Sequence, residues 1–284
     1  MNSKFVLGSA ILLVLLTTAC NDLKEDRFDY AYNSEISRDF LQSEAIFISI
    51  FKTVFKAGID TALLDTGFGV VDSASVGRQG NFYNFSYGSN KLCPDGSRRS
   101  GGFSVSYTNP LFVKEASAVL TFSDLVINGK LISGSFEIEN ITISDSLHPI
   151  YNLIVNDAEI LIDEETKVKI TWEGDYYIRW SNGFLTMNVL GDDLFKVTGS
   201  SVGRGRYNDR FNSAISDSLD LRFTCNYLRG STSVLRMPDF EINKAVLDYL
   251  DPTACSSSVN AVFSGKTPNG SLMTSEKITL GIVF

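Results

Sequence analysis

The chain has 284 residues, a formal net charge of −8 and one histidine. That acidic balance speaks against nucleic acid and against anionic membrane surfaces as partners. With His148 alone and no C-x-x-C spacing, the chain lacks the ligand pattern of a zinc site, and no metal or cofactor is expected.

Lys4 opens a positive stretch, and Phe5 to Leu16 is a short apolar run. A transmembrane helix needs about 20 consecutive apolar residues, so this run reads as a processing signal. Leu16-Thr17-Thr18-Ala19-Cys20 follows, and it resembles the lipobox of bacterial lipoproteins. The resemblance implies a signal peptide over 1–19, cleavage before Cys20, and acylation of Cys20. More than one acyl chain gives stable anchoring. Residues 20–33 then read as an acidic tether, polar from Asn21 to Arg27 save for Leu23. Such a tether resembles the surface-export signal of Bacteroidota-type lipoproteins, which implies the outer membrane and its outer side rather than its periplasmic face.

Asn33–Asp60 is the clear helix candidate, with Ser34 or Ser37 as its cap. Phe40, Phe47, Phe51, Val54 and Gly58 recur at spacings of three, four and seven. Arg38, Asp39, Gln42, Lys52 and Lys56 take much of the other side, so the helix is expected to pack on or in a sheet.

From Gly80 onward the apolar period becomes two, and twenty Phe and eleven Tyr suit strands. Asn128-Gly129 between two apolar runs marks a hairpin. Turns are predicted at Asn156-Asp157, at Asp163–Thr166, at Gly174-Asp175 and at Ser181–Gly183. Further strands are expected at 194–198, 206–211, 218–225, 232–237, 239–245, 258–263 and 277–284. Without helices between them, such strands make an antiparallel meander curved into a sheet, sandwich or open barrel. Residues 34–284 are therefore read as one mainly β domain. A tyrosine six residues before both Cys93 and Cys255 suggests two related modules, at about 80–165 and 166–284.

With Cys20 acylated, Cys93, Cys225 and Cys255 remain, an odd number in an oxidising compartment. Cys225 and Cys255 lie on segments separated by one strand region and are the preferred disulfide.

Four segments form an ordered set: Cys93-Pro94-Asp95-Gly96-Ser97-Arg98-Arg99-Ser100-Gly101, Val126-Ile127-Asn128-Gly129, Asp192 to Gly199, and the Tyr249/Cys255 segment. Over roughly Asn84–Gly265 this set resembles an uncharacterised family of exported β-rich Bacteroidota lipoproteins. Asp251-Pro252 departs from the Gly-rich turn expected before Cys255. The resemblance implies an exported β-rich lipoprotein and brings no activity with it.

Chemistry is thinly marked. Asp95-Gly96 reads as a turn, with Arg98 and Arg99 pairing to surface acids. Asp163-Glu164-Glu165 and Asp192-Asp193 lack the spaced ligands of a calcium loop and read as solvated turns. Gly199 to Arg206 opens no helix and reads as a flexible hairpin loop rather than a phosphate cradle. Trp172, Tyr176, Ile178 and Trp180 share one parity and are expected in the core, leaving Tyr177 and Arg179 outward as the candidate ligand face. Ile278, Leu280, Ile282 and Phe284 alternate as a last strand of the sheet. No nucleophile motif accompanies His148, so no catalytic residues are assigned. The expectation is a lipid-anchored protein with a non-enzymatic binding or envelope-structural role, its partner a glycan or envelope protein. The alternative is a periplasmic carrier of lipid or lipoprotein that uses a hydrophobic cavity.

Overall fold

The computed structural model describes residues 30–143, 147–187, 189–267 and 270–280. Cys20, the leader and the last alternating residues Ile282 and Phe284 lie outside them. Among the described residues two helices come first, α1 (Tyr30–Ile59) and α2 (Thr61–Thr66). Fifteen strands follow: β1 (Phe68–Val71), β2 (Ala74–Gln79), β3 (Phe82–Leu92), β4 (Arg98–Tyr107), β5 (Ser117–Ile127), β6 (Lys130–Asn140), β7 (Ile150–Asp163), β8 (Val168–Asn182), β9 (Leu194–Arg204), β10 (Arg210–Ile215), β11 (Leu219–Leu221), β12 (Thr232–Arg236), β13 (Lys244–Asp248), β14 (Ser258–Thr267) and β15 (Gly270–Thr279). All belong to one open antiparallel sheet in near-sequential order; β11 pairs with β9 and leaves β10 beside β12. The expected mainly β class with one N-terminal amphipathic helix is what forms. Among the described residues no helix is long and apolar enough to cross a membrane.

The sheet curls around α1. At 1.5 Å per residue, 30 residues make a rod of about 45 Å. It touches the first strand, the middle strand β8 and the last strand. Every residue from Ser43 to Phe55 is buried. The polar side read from the sequence is therefore no solvent face, since Asp39 and Lys52 are buried too. Phe47 stacks on Trp172 with centroids 4.9 Å apart, and Phe55 meets Tyr151, Trp180 and Phe195 edge-on at 5.1–5.4 Å. Gly58 is a packing glycine: a Cβ there would lie 2.7 Å from a Leu111 side-chain carbon.

Curvature comes from irregular pairing. Register shifts interrupt the pairings of β3–β4, β4–β5, β5–β6, β6–β7 and β7–β8, and such bulges bend and twist a sheet. Gly134 sits at one, with φ 129° and Ala158 Cα 2.7 Å from where a Cβ would stand. The Asn128-Gly129 hairpin forms as expected, with φ of 49° and 79°.

Two predicted turns do not form. Asn156-Asp157 is a bulge inside β7, which continues to pair with β6 and β8 on both sides of it. Gly174-Asp175 lies inside β8; Gly174 is small because a side chain there would strike the rings of Trp172 and Tyr176 at 2.4 and 2.8 Å. Gly199 to Arg204 is likewise strand, not a flexible loop. A Cβ on Gly199 would meet the Asp175 carbonyl oxygen at 2.3 Å, so this glycine permits close strand approach. The strand expected at 206–211 starts at Arg210, after the Gly205–Asp209 turn. β1 and β2 were not anticipated. Their turn, Asp72-Ser73, has φ of 46° and 69° without the usual Asn-Gly signature.

Glu44 is enclosed at mid-helix. Its carboxylate accepts hydrogen bonds from Tyr249 Oη at 2.8 Å and Tyr176 Oη at 3.2 Å, and no cation pairs with it among the described residues. Burial pushes its pKa up to about 7, with the two tyrosine bonds pulling the other way. A carboxyl raised from its ordinary 4.5 is protonated in the folded chain while the unfolded chain ionises. Its contribution to stability is therefore full below about pH 4.5 and falls as pH rises to about 7. At roughly 1.4 kcal/mol per unit, the loss is about 3 kcal/mol. Urea denaturation at pH 5 and pH 8 should show this fall in the wild type, and Glu44→Gln should remove most of it.

Candidate functional site

The last turns of α1 carry Ser49, Lys52 and Lys56 along one side, because residues three and four apart share a helix face. They form one wall of a polar cleft of about 260 Å³. The other walls come from the β1–β2 turn, the Cys93–Ser97 turn and the loop after β11. The lysines lie within the polar side of the sequence pattern, but which segments face them could not be read from chain order.

At the β1–β2 turn, Asp72 accepts hydrogen bonds from Lys56 Nζ at 2.5 Å and Thr53 Oγ1 at 2.9 Å. In the next turn, Asp95 Oδ1 accepts from the Ser97 backbone N–H at 2.9 Å and from Ser97 Oγ at 2.7 Å. Its Oδ2 accepts from Ser49 Oγ at 3.0 Å and pairs with Arg99. Arg99 in turn reaches Tyr87 Oη at 2.9 Å. Burial raises the Asp95 pKa, but the Arg99 charge and the Ser97 bonds outweigh it and hold the carboxyl below its usual value. The expected Asp-Gly turn and Arg–acid pair thus form. Arg99, however, is buried within the fold rather than paired at the surface, while Arg98 is exposed.

The third wall is pinned covalently. Cys225 and Cys255 form the preferred disulfide, with Cα atoms 5.3 Å apart. Asn226 donates from Nδ2 to the Asp95 carbonyl at 2.9 Å, tying this loop to the preceding turn. Phe223 lies under both lysines, 5.7 Å from Lys52 Nζ and 5.5 Å from Lys56 Nζ. Cys93 remains a buried free thiol, so the two cysteines of the sequence echo differ chemically.

Lys52 differs from the other cations of this group. Its Nζ donates to the Cys225 carbonyl at 2.7 Å, and no carboxylate lies within ion-pair distance of it among the described residues. The residue is 7% exposed. Burial first, and then the charge of Lys56, push its pKa down to about 8.

The residues singled out from sequence lie elsewhere. Tyr177 and Arg179 are exposed on the outward face of β8, beside Thr198 and Lys196 of β9, and neither lines the cleft. Trp172, Tyr176, Ile178 and Trp180 point inward. Asp163 closes its turn through the Glu165 N–H at 2.9 Å. Asp193 is buried rather than solvated, because Trp180 Nε1 donates to it at 3.0 Å. His148 Nδ1 lies 3.3 Å from the Trp180 carbonyl oxygen. Among the described residues no group of three or more His, Cys, Asp or Glu side chains is placed to hold a metal ion.

The disulfide closes a loop of 30 residues, for which the chain-entropy relation gives about 3–4 kcal/mol. Reduction, or Cys255→Ser, should lower the thermal midpoint measurably and increase hydrogen exchange at 223–226 while leaving β3–β8 protected. Comparison with family models, with curated proteins and with solved structures returned no match, so function must be argued from the cleft's own chemistry.

Proposed function

We propose that this chain is a lipid-anchored outer-membrane binding protein, displayed at the cell surface through acylated Cys20, that captures a small acidic ligand in the cleft beside α1. The lipobox supports the anchor, and the polar stretch after it supports display. The observation that carries the binding reading is Lys52: an ammonium on a cleft wall with no carboxylate within ion-pair distance among the described residues, the cleft's Asp72 and Asp95 being engaged by Lys56 and Arg99. Lys56 is already matched by Asp72, and Arg99 by Asp95, so the cleft keeps about one unit of positive charge for a ligand. Ser49, Thr224 and Asn226 line the same space and offer hydroxyl and amide groups. A carboxylated sugar from an envelope glycan fits this combination, and the volume suits one sugar unit rather than a drug-sized molecule. The carrier alternative finds less support. The interior that an acyl chain would need is occupied by the aromatic residues of α1.

Isothermal titration at low salt should show binding of glucuronate and none of glucose. Lys52→Met should weaken glucuronate binding by at least about tenfold, the loss expected for a charge-assisted contact of 1.5–3 kcal/mol. Equal binding of glucose, or an unchanged Lys52→Met titration, would overturn the reading. Anchoring is checked separately: Cys20→Ala should move the protein from the membrane pellet to the soluble fraction.

A further inference from the structure

We propose that Lys52 is a carbonyl-reactive amine, whose Nζ forms a reversible imine with a small aldehyde or 2-oxo acid held in the cleft. This rests on the cleft being the ligand site, and it names the chemistry done there.

Three features of the geometry support it. The first is position: Lys52 lines the cleft and is largely buried, and its Nζ reaches across to the loop after β11. The second is orientation. The Cys225 carbonyl accepts one N–H at 2.7 Å, and a disulfide at that same residue holds the carbonyl in place. A carbonyl accepts hydrogen bonds from the neutral amine as well as from the ammonium, so it fixes the nitrogen without demanding its charge. A carboxylate partner would lock the proton on. The third is the neighbour. Lys56 stands one helical turn away over the same Phe223 ring, and its charge opposes a second charge at Lys52. A desolvated lysine beside another cation is a general arrangement for a nucleophilic amine. The charged groups that bear on Lys52 are Lys56 and Arg99, which favour its neutral form, and Asp72 and Asp95, which oppose it. Burial adds to the first pair and tips the balance, with the pKa at about 8.

The step balances without an oxidant. The Nζ lone pair adds to the carbonyl carbon, and one N–H proton passes to the carbonyl oxygen to give a neutral carbinolamine. Loss of water then leaves the C=N bond, so amine and carbonyl give imine and water. Hydrolysis reverses it and releases the ligand. The Lys56 ammonium on the cleft wall is the nearby proton donor for dehydration. An open-chain uronic acid carries both a carboxylate and an aldehyde, so one ligand class meets both demands.

The test treats the full chain with glyoxylate and cyanoborohydride, which reduces the imine to a stable secondary amine. Adducts are then mapped by mass spectrometry. One carboxymethyl group on Lys52, formed at least about tenfold faster than on exposed Lys91 or Lys114, is the expected result. Lys56→Met should move the midpoint of the pH–rate profile for Lys52 upward, since a charge opposing protonation is gone. Lys52→Arg should lose the adduct, because a guanidinium forms no reducible imine with glyoxylate. Labelling spread over exposed lysines with none favoured at Lys52 would overturn the proposal. Glucuronate binding without Lys52 labelling would overturn the imine and leave the binding site standing. Labelling of Lys52 without glucuronate binding would overturn the uronate as ligand and leave the reactive amine in the cleft standing.

Discussion

The structure depends on one constraint: a helix of 30 residues whose central stretch, Ser43 to Phe55, is buried in the curl of a single sheet. The polar side chains buried on it need partners inside, because an unpaired buried polar group costs several kcal/mol. Short hydroxyls turn back on their own helix. Ser37, Ser43 and Thr53 donate to the carbonyls of Asn33, Asp39 and Ser49, four residues earlier. Long or charged ones dictate what the sheet must present. Asn33 donates to the Ile242 carbonyl at 2.7 Å, Asp39 accepts from Arg206, and Glu44 accepts from Tyr176 and Tyr249. Turns far apart in sequence are thus specified by one continuous segment.

The same enclosure explains the irregular strands. A flat sheet with a 10 Å layer spacing covers one side of a helix, not its circumference. Bulges in β3 to β8, and glycines where strands approach closely, supply the bend. The alternation of β8 then aims Trp172, Tyr176, Ile178 and Trp180 at α1, while Tyr177 and Arg179 face outward. Aromatic residues suit this task, since each fills a large share of the space between sheet and helix with few rotatable bonds.

Much of this was legible in the sequence, and the failures share a cause. Period-two alternation is local, so strand existence, the inward parity of β8 and the Asn128-Gly129 hairpin were readable. Bulges also use Gly, Asn and Asp, which is why Asn156-Asp157 and Gly174-Asp175 read as turns. Only long-range pairing shows that β7 and β8 run on. The helix was read as amphipathic because Asp39, Lys52 and Lys56 are charged; nothing local reports that Arg206, Cys225 and Asp72 wait opposite them. For the same reason the cleft was visible only in fragments. Asp95 and the two lysines each stood out, but their meeting depends on a loop more than 120 residues away.

Three ionisable groups buried on α1 show where function concentrates. Asp39 is matched by a guanidinium and needs no further explanation. Glu44 and Lys52 are held by neutral groups, and replacing such charges with apolar side chains of similar size is often stabilising. Around Glu44 the cost gains little access: the adjoining space is about 10 Å³, room for one water. Its two tyrosine bonds instead set the helix against β8 and the segment after β13. Lys52 faces about 260 Å³ of open polar cleft, floored by an aromatic ring and bordered by a disulfide. A buried ionisable group that only served packing would be closed over as Glu44 is. The cation without a direct ion pair stands at the one of these three positions that opens on the cleft, and that is why the chemistry is assigned to Lys52.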